Sequence, residues 1–249
     1  MAVVALGIGL NIVGFGSINA LWLSPLPYPD AHQLVGLNER AKGSSGVCGV
    51  SLANFFDWRD RQHVFSALAA FYPTRVSLAE SAEAETVNAV TATADFFTVL
   101  GVAPVEGRTF LPEDAQPGAP PVVVLSDNLW RSRFQAAPMV GSTVRVDGVP
   151  TTVIGIMPPE FGFPRFAART QLYLPLTANR AALQRWNHSV WAVARLHPRR
   201  TLDEARAEMQ VIGDRLAREY PTGNADIEPM LMPLRHLFLD SDKIGRAHV

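Results

Sequence analysis

The chain opens with an unbroken apolar run and only then takes up the mixed pattern of a water-facing body. The first charged residue is Asp30, and residues 2–23 contain only Asn11, Ser17 and Asn19 as polar side chains. About 20 residues of helix, at about 1.5 Å each, cross a bilayer core of about 30 Å. The run is long enough, so the pattern predicts one N-terminal transmembrane helix, residues 1–24. At about 100° per residue, Gly7, Asn11 and Gly14 share one face, and such small and amide side chains suit helix–helix packing in membrane. Pro25, Pro27 and Pro29 then stop the helix, because each lacks an N–H and restricts the residue before it. Two other readings compete. A signal peptide would carry Lys or Arg in its first residues and a shorter apolar stretch. A buried core helix rarely has so little polarity over this length. The flank before the run has no cation, so charge does not orient it.

Beyond Asp30 the pattern breaks into short elements. Residues 31–38 read as a first strand and 41–49, rich in Gly and Ser, as a loop. Ser51 caps a helix to about Arg61 that offers Leu52, Phe55 and Phe56 to a core. Residues 86–92 form a strand, and 95–101 a short helix with Phe96, Phe97 and Leu100 inward and Gly101 closing it. Residues 105–121, rich in Pro and Gly, mark a subdomain boundary. After them come a buried strand at 122–125, a short helix at 127–134 capped by Ser126, and a hairpin. In the hairpin Val144 and Val146 alternate with Arg145, Asp147-Gly148 supplies the turn, and 152–157 returns. Further strands are expected at 171–176 and 189–196.

The helix after Arg200 has the clearest signature. Thr201 and Glu204 make a capping box. Leu202, Ala205, Met209, Ile212 and Leu216 line one face, and Asp214 and Arg218 can pair at i,i+4 outside. Pro221 stops it, and 227–234 is a last strand weakened by Pro229 and Pro233. Strand, helix and strand over 189–234 suggest a βαβ-like layer.

Composition then narrows the chemistry. The net charge is −1, so there is no electrostatic case for nucleic acid. Cys48 is the single cysteine, which rules out an internal disulfide and a cysteine-based zinc site. The lysines are Lys42 and Lys243, and neither lies in the Gly-Lys-Ser/Thr context that holds nucleotide phosphates. The chain therefore should not hydrolyse ATP. Neither His-Glu-x-x-His nor Gly-x-Ser-x-Gly occurs. His32, His63, His188, His197, His236 and His248 show no i,i+4 spacing and read as surface or loop residues. Asp57 and Asp60, flanking Trp58-Arg59, read as a solvated helix face rather than a catalytic pair. Glu80, Glu83 and Glu85 read as a solvated acidic loop, and Arg199-Arg200 as a small basic patch. No catalytic residue, cofactor or metal is assigned.

A series of segments carries a resemblance. In order these are Ala5-Leu6-Gly7-Ile8-Gly9-Leu10-Asn11, Pro25-Leu26-Pro27-Tyr28-Pro29-Asp30 and Asn54-Phe55-Phe56-Asp57-Trp58-Arg59. Asp95-Phe96-Phe97-Thr98-Val99-Leu100-Gly101-Val102 and Gly107-Arg108-Thr109-Phe110 follow. Val122-Val123-Val124-Leu125-Ser126-Asp127 and Ile154-Gly155-Ile156-Met157-Pro158-Pro159 complete the series. Over roughly 5–240 the order and spacing resemble the periplasmic core domain of MacB-like, FtsX-like ABC transporter permeases, most closely the duplicated orphan permeases of acidobacteria. The resemblance implies an α+β fold: one N-terminal transmembrane helix followed by a two-lobed extracytoplasmic domain. A porter-like lobe would be built from 30–104 and 190–240, with a β-rich lobe, 105–189, inserted between. It implies a non-catalytic permease subunit in the bacterial inner membrane, its body in the periplasm, coupling cytoplasmic ATP hydrolysis to movement outside. The partners implied are a cytoplasmic ABC ATPase subunit, a second permease copy or half, a periplasmic adaptor and membrane lipid.

The chain departs from that family at both ends. Members begin with a cytoplasmic or basic segment and continue into three more membrane helices, so a truncated fragment is expected. Residues 243–249 resemble a translated sequencing adapter and are expected to be non-native; codons other than ATC-GGA-AGA-GCA-CAC-GTC at 244–249 would sink this. An alternative function is a membrane-anchored periplasmic binding or adaptor module, separated from the first by whether three spans follow. A secreted hydrolase would need a catalytic cluster that the sequence does not supply.

Overall fold

The computed structural model describes residues 26–44, 46–79, 84–163 and 169–237. The expected membrane helix, with Gly7, Asn11 and Gly14, and the expected non-native tail both lie outside these residues. Among the described residues no helix is long and apolar enough to cross a membrane.

Four strands and two helices make the first half of the body. They are β1 (Leu34–Ala41), α1 (Leu52–Arg61), β2 (Phe65–Ala79), and, much later in the chain, β9 (Trp191–Leu196), α4 (Leu202–Glu219) and β10 (Ile227–Pro233). Their order across the sheet is β10-β1-β9-β2, with antiparallel neighbours. It follows that β1 and β2 run the same way with β9 between them, and β9 and β10 run the same way with β1 between them. Two split βαβ units thus interleave, the ferredoxin-like arrangement. Helices α1 and α4 cover one face, where Phe55, Trp58, Met209, Ile212 and Leu216 pack on Leu37, Leu68 and Ala194. Each large aliphatic side chain buried there stabilises by about 1.5–3 kcal/mol.

The capping signatures work as chemistry requires. Ser51 Oγ accepts from the Asn54 amide at 3.1 Å. Thr201 Oγ1 accepts from the Glu204 amide at 3.2 Å while Glu204 Oε2 accepts from the Thr201 amide at 2.7 Å. The expected Asp214–Arg218 pair does not form; Asp214 instead accepts from Gln210 at 3.1 Å. Pro221 ends α4 and opens one more helical turn, α5 (Pro221–Asn224). The expected first strand starts later than residue 31, because Asp30 takes a left-handed φ of 47° and Ala31–Gln33 form a 3₁₀ turn.

The second half is built on the far end of β2. It comprises β3 (Ala84–Ala92), α2 (Phe96–Leu100), β4 (Glu106–Gly107), β5 (Val122–Leu125), α3 (Asp127–Phe134), β6 (Thr143–Val146), β7 (Val149–Ile156) and β8 (Leu172–Pro175). Pairing runs β2-β3-β8-β5-β7-β6 and returns from β6 to β2, which closes a six-stranded barrel. Closure satisfies strand edges that would otherwise be open. Alternate residues fill the interior: Val76 and Leu78, Val87 and Ala89, Val123 and Leu125, Val144 and Val146, Val153, and Leu172. Leu129, Trp130 and Phe134 of α3 join the same core. In the β6–β7 turn Asp147 and Gly148 take φ of 49° and 79°, so glycine suits the second place.

Strand β2 is the long element that sequence patterning does not reveal. Residues 67–71 are an Ala-rich segment buried on both faces or nearly so, which erases the period of two, and Pro73 interrupts the run. Pro73 is tolerated because pairing with β9 ends at Phe71 and pairing with β6 begins at Leu78. One continuous strand therefore belongs to both halves.

Candidate functional site

Two features join the halves, and each is assembled from residues far apart in sequence. The first is an aromatic cluster on the face opposite α1 and α4. Phe71 on β2, Phe96 on α2 and Phe163 meet with ring centroids 5.0–5.8 Å apart. Phe97, Phe110, Phe161 and Tyr173 extend the cluster. Burial pushes the Tyr173 phenol far above its ordinary value, so it stays neutral. Tyr28, between Pro27 and Pro29 just after the apolar run, inserts into this cluster. Its ring stands edge-on to Phe161 and Phe163 at 6.5 and 6.1 Å, and its hydroxyl donates to the Gly162 carbonyl at 3.0 Å. Edge-to-face aromatic pairs contribute about 0.5–1.5 kcal/mol each beyond their burial. The point where the chain enters the body is thus fastened to the core shared by both halves.

The second feature is a strap, residues 176–190, which returns the chain from the barrel to β9. It lies along α1 and is tied at three levels. Arg180 pairs with Asp60 at 2.5 Å and stacks its guanidinium over Phe56 at 4.6 Å. Arg185 donates to Asn54 Oδ1 at 2.7 Å, reaches Asp57 Oδ2 at 2.7 Å and covers the Tyr220 ring at 3.5 Å. The Arg185–Asp57 approach lies off the direction of a hydrogen bond, so it acts as a Coulombic contact. At the far end His188 Nδ1 meets Glu39 Oε2, and Val50 and Val190 exchange backbone hydrogen bonds at 2.6 and 3.2 Å.

Glu39 is the centre of this lacing. It sits on β1, is fully buried, and accepts from the Ser51 amide at 3.0 Å and from Asn54 Nδ2 at 2.6 Å. Asn54 in turn exchanges two hydrogen bonds with Asn224 of α5, at 2.8 and 3.1 Å. A buried carboxylate requires such partners, since an unpaired charge in the interior is strongly unfavourable. The Glu39 hydrogen bond raises the His188 imidazole above its ordinary 6.5, against the opposing effect of burial.

His188 lies in irregular chain, as a loop histidine would, but it is half-buried and paired, which corrects its reading as a surface residue. Its spacing gave no sign, because its partner lies 149 residues away. Asp60 is exposed, as a solvated helix face would be, whereas Asp57 is mostly covered, and each holds the strap through an arginine. Asp57 also faces Arg61 at 3.5 Å. Glu85 pairs with Arg133, whereas Glu80 and Glu83 lie outside the described residues. Cys48 donates to the Glu39 carbonyl at 3.1 Å, and burial, aided by the Glu39 charge, pushes its thiol up, away from a reactive thiolate. Arg199 and Arg200 are exposed, as a basic patch would be. Among the described residues no group of three His, Cys, Asp or Glu side chains could hold a metal. Arg180, Arg185 and His188, the charged and imidazole groups of the strap, are engaged in lacing it down.

Comparison with known proteins agrees with this architecture. A domain of a protein described as a permease, from Porphyromonas gingivalis, superimposes with a TM-score of 0.63 at 14% identity, covering 84% of this chain and 92% of that one. The extracellular domain of the ABC-type transporter YknZ from Gram-positive bacteria gives 0.56 at 12% identity, covering 79% and 99%. The periplasmic region of MacB from Actinobacillus actinomycetemcomitans gives 0.56 at 15%, covering 88% and 94%. At these identities the likeness concerns the fold. No curated protein matches the sequence. The family profile described as MacB-like periplasmic core domain matches residues 1–212, and the chain belongs to that family.

Proposed function

We propose that the chain is the external domain of an ABC transporter permease, and that it acts as a mechanical coupler rather than as an enzyme. In this reading residues 2–23 span the bacterial inner membrane and the body stands in the periplasm. A cytoplasmic ABC ATPase, acting on a permease pair, moves the span, and the body carries that movement to cargo or to an adaptor outside. The division into a porter-like lobe, 30–104 with 190–240, and an inserted lobe, 105–189, belongs to the same reading, with strands β2 and β3 from the first stretch completing the barrel of the second.

The observation that carries it is the anchoring of Tyr28. A displacement where the chain enters the body passes into the aromatic cluster and from there to both halves, because rigid packed cores transmit strain. Strand β2, fifteen residues and about 50 Å long at about 3.3 Å per residue, connects the two halves without a hinge. The test is made in the complete transporter, assembled with its ABC ATPase in lipid. Spin labels at Arg145 of the two external domains should report a distance that changes between the nucleotide-free and ATP-bound states. Equal distances in the two states would overturn coupling, and ATP turnover by the purified chain alone would overturn the non-catalytic assignment.

A further inference from the structure

The end of the four-stranded half where the chain enters carries an unassigned cationic surface. Leu34 pairs with Arg195 and Val35 with Pro233, so the start of β1 and the ends of β9 and β10 lie together. A cavity of about 260 Å³ opens there, bounded by His32, Gln33, His197, Arg199, Arg200 and Pro233. Among the described residues, Asp203 pairs with Arg206 at 2.9 Å, Glu204 faces Arg200 at 3.5 Å while capping Thr201, and the exposed Asp30 acts on Arg195 through its charge without an ion pair. Glu208 accepts from the His63 amide at 2.5 Å. Among the described residues, the exposed cations of this end without an ion pair are Arg199 and Arg235, and the exposed imidazoles of His32, His197 and His236 stand as further hydrogen-bonding groups.

We propose that this face rests on the bilayer and that its cavity takes the phosphate of an anionic phospholipid headgroup. The proposal rests on the reading of residues 2–23 as a membrane span. A chain extends at most about 3.3–3.6 Å per residue, so Gln33 lies within about 35 Å of the end of that run. The 3₁₀ turn at Ala31–Gln33 and the buried Tyr28 shorten the reach further. The guanidinium fork matches phosphate oxygens in pairs, and each cation facing an anionic membrane surface strengthens attachment about fivefold.

The experiment uses the full chain in nanodiscs of phosphatidylcholine alone or with phosphatidylglycerol, read by amide hydrogen exchange over residues 197–202. Phosphatidylglycerol should slow exchange several-fold. The Arg199→Gln/Arg235→Gln variant should erase the difference, and the Arg215→Gln/Arg218→Gln variant, changed at the opposite end of α4, should keep it. Equal exchange in the two lipids overturns the proposal, as does equal protection by inorganic phosphate in phosphatidylcholine discs, which would mark a site for a free anion. Flotation with phosphatidylcholine vesicles tests the span separately. A chain that floats only with phosphatidylglycerol vesicles, and loses this in Arg199→Gln/Arg235→Gln, would refute the span and retain the lipid face.

Discussion

The imidazole of His188 meets the carboxylate of Glu39 inside the body, joining the strap that leaves the barrel to the first strand of the other half. Glu39 is fully enclosed, whereas the His188 side chain keeps 23% of its exposure. The pair therefore sits where protons in the surrounding water can still reach one partner.

This pair gives a pH dependence of known sign. The folded imidazole titrates above its ordinary 6.5, chiefly because it is hydrogen-bonded to Glu39. Its stabilisation is fully present below 6.5 and is lost as pH rises through the raised folded value. The melting temperature of the parent minus that of His188→Gln should therefore shrink as pH rises above 6.5. A gap that stays constant or widens would contradict the assignment. His188→Ala should cost about 2–3 kcal/mol near pH 6, below the usual range for a broken buried pair because the imidazole is partly solvated.

Gly213 makes a close approach rather than a flexible point. A Cβ there would stand 2.5 Å from Pro229 Cδ, so α4 lies against β10 only because the side chain is missing. Alanine is the better helix former by about 1 kcal/mol. Gly213→Ala should nonetheless destabilise by about 1–3 kcal/mol, as overpacking does. Chemical denaturation measures it, and a more stable variant would show that the helix can shift freely.

Ile212, one residue earlier, is 4% exposed and packs among Leu37, Phe55 and Trp58 in the core under α4. Ile212→Asp should lose several kcal/mol, because an unpaired buried carboxylate must stay uncharged or remain unsolvated. Thermal unfolding within a degree of the parent would mean that this face is open to water.

Asn38 runs the other way. Its side chain is fully buried on β1, and neither its amide nitrogen nor its oxygen has a hydrogen-bond partner. An unsatisfied buried polar group costs about 1–3 kcal/mol. Asn38→Leu, close in volume, should raise the melting temperature; a fall would indicate that the amide is satisfied by water.

Much of the local structure follows from the sequence alone. Ser51, Ser126 and Thr201 mark helix starts because a short hydroxyl side chain can satisfy an orphan amide within its own turn. Gly101 and Asp147-Gly148 mark stops and turns because they admit positive φ. The apolar stripe of α4 announces one buried face by its spacing. These signals are carried within a few residues, so no distant partner is needed to read them. The strand β2, the closing of the barrel through β6 and the Glu39–His188–Asn54–Arg185 lacing were decided by tertiary structure. Alanines buried on both faces show no period, and Pro73 becomes acceptable only in a gap between partner strands. A histidine and a glutamate 149 residues apart look like two surface residues until the fold removes water from between them.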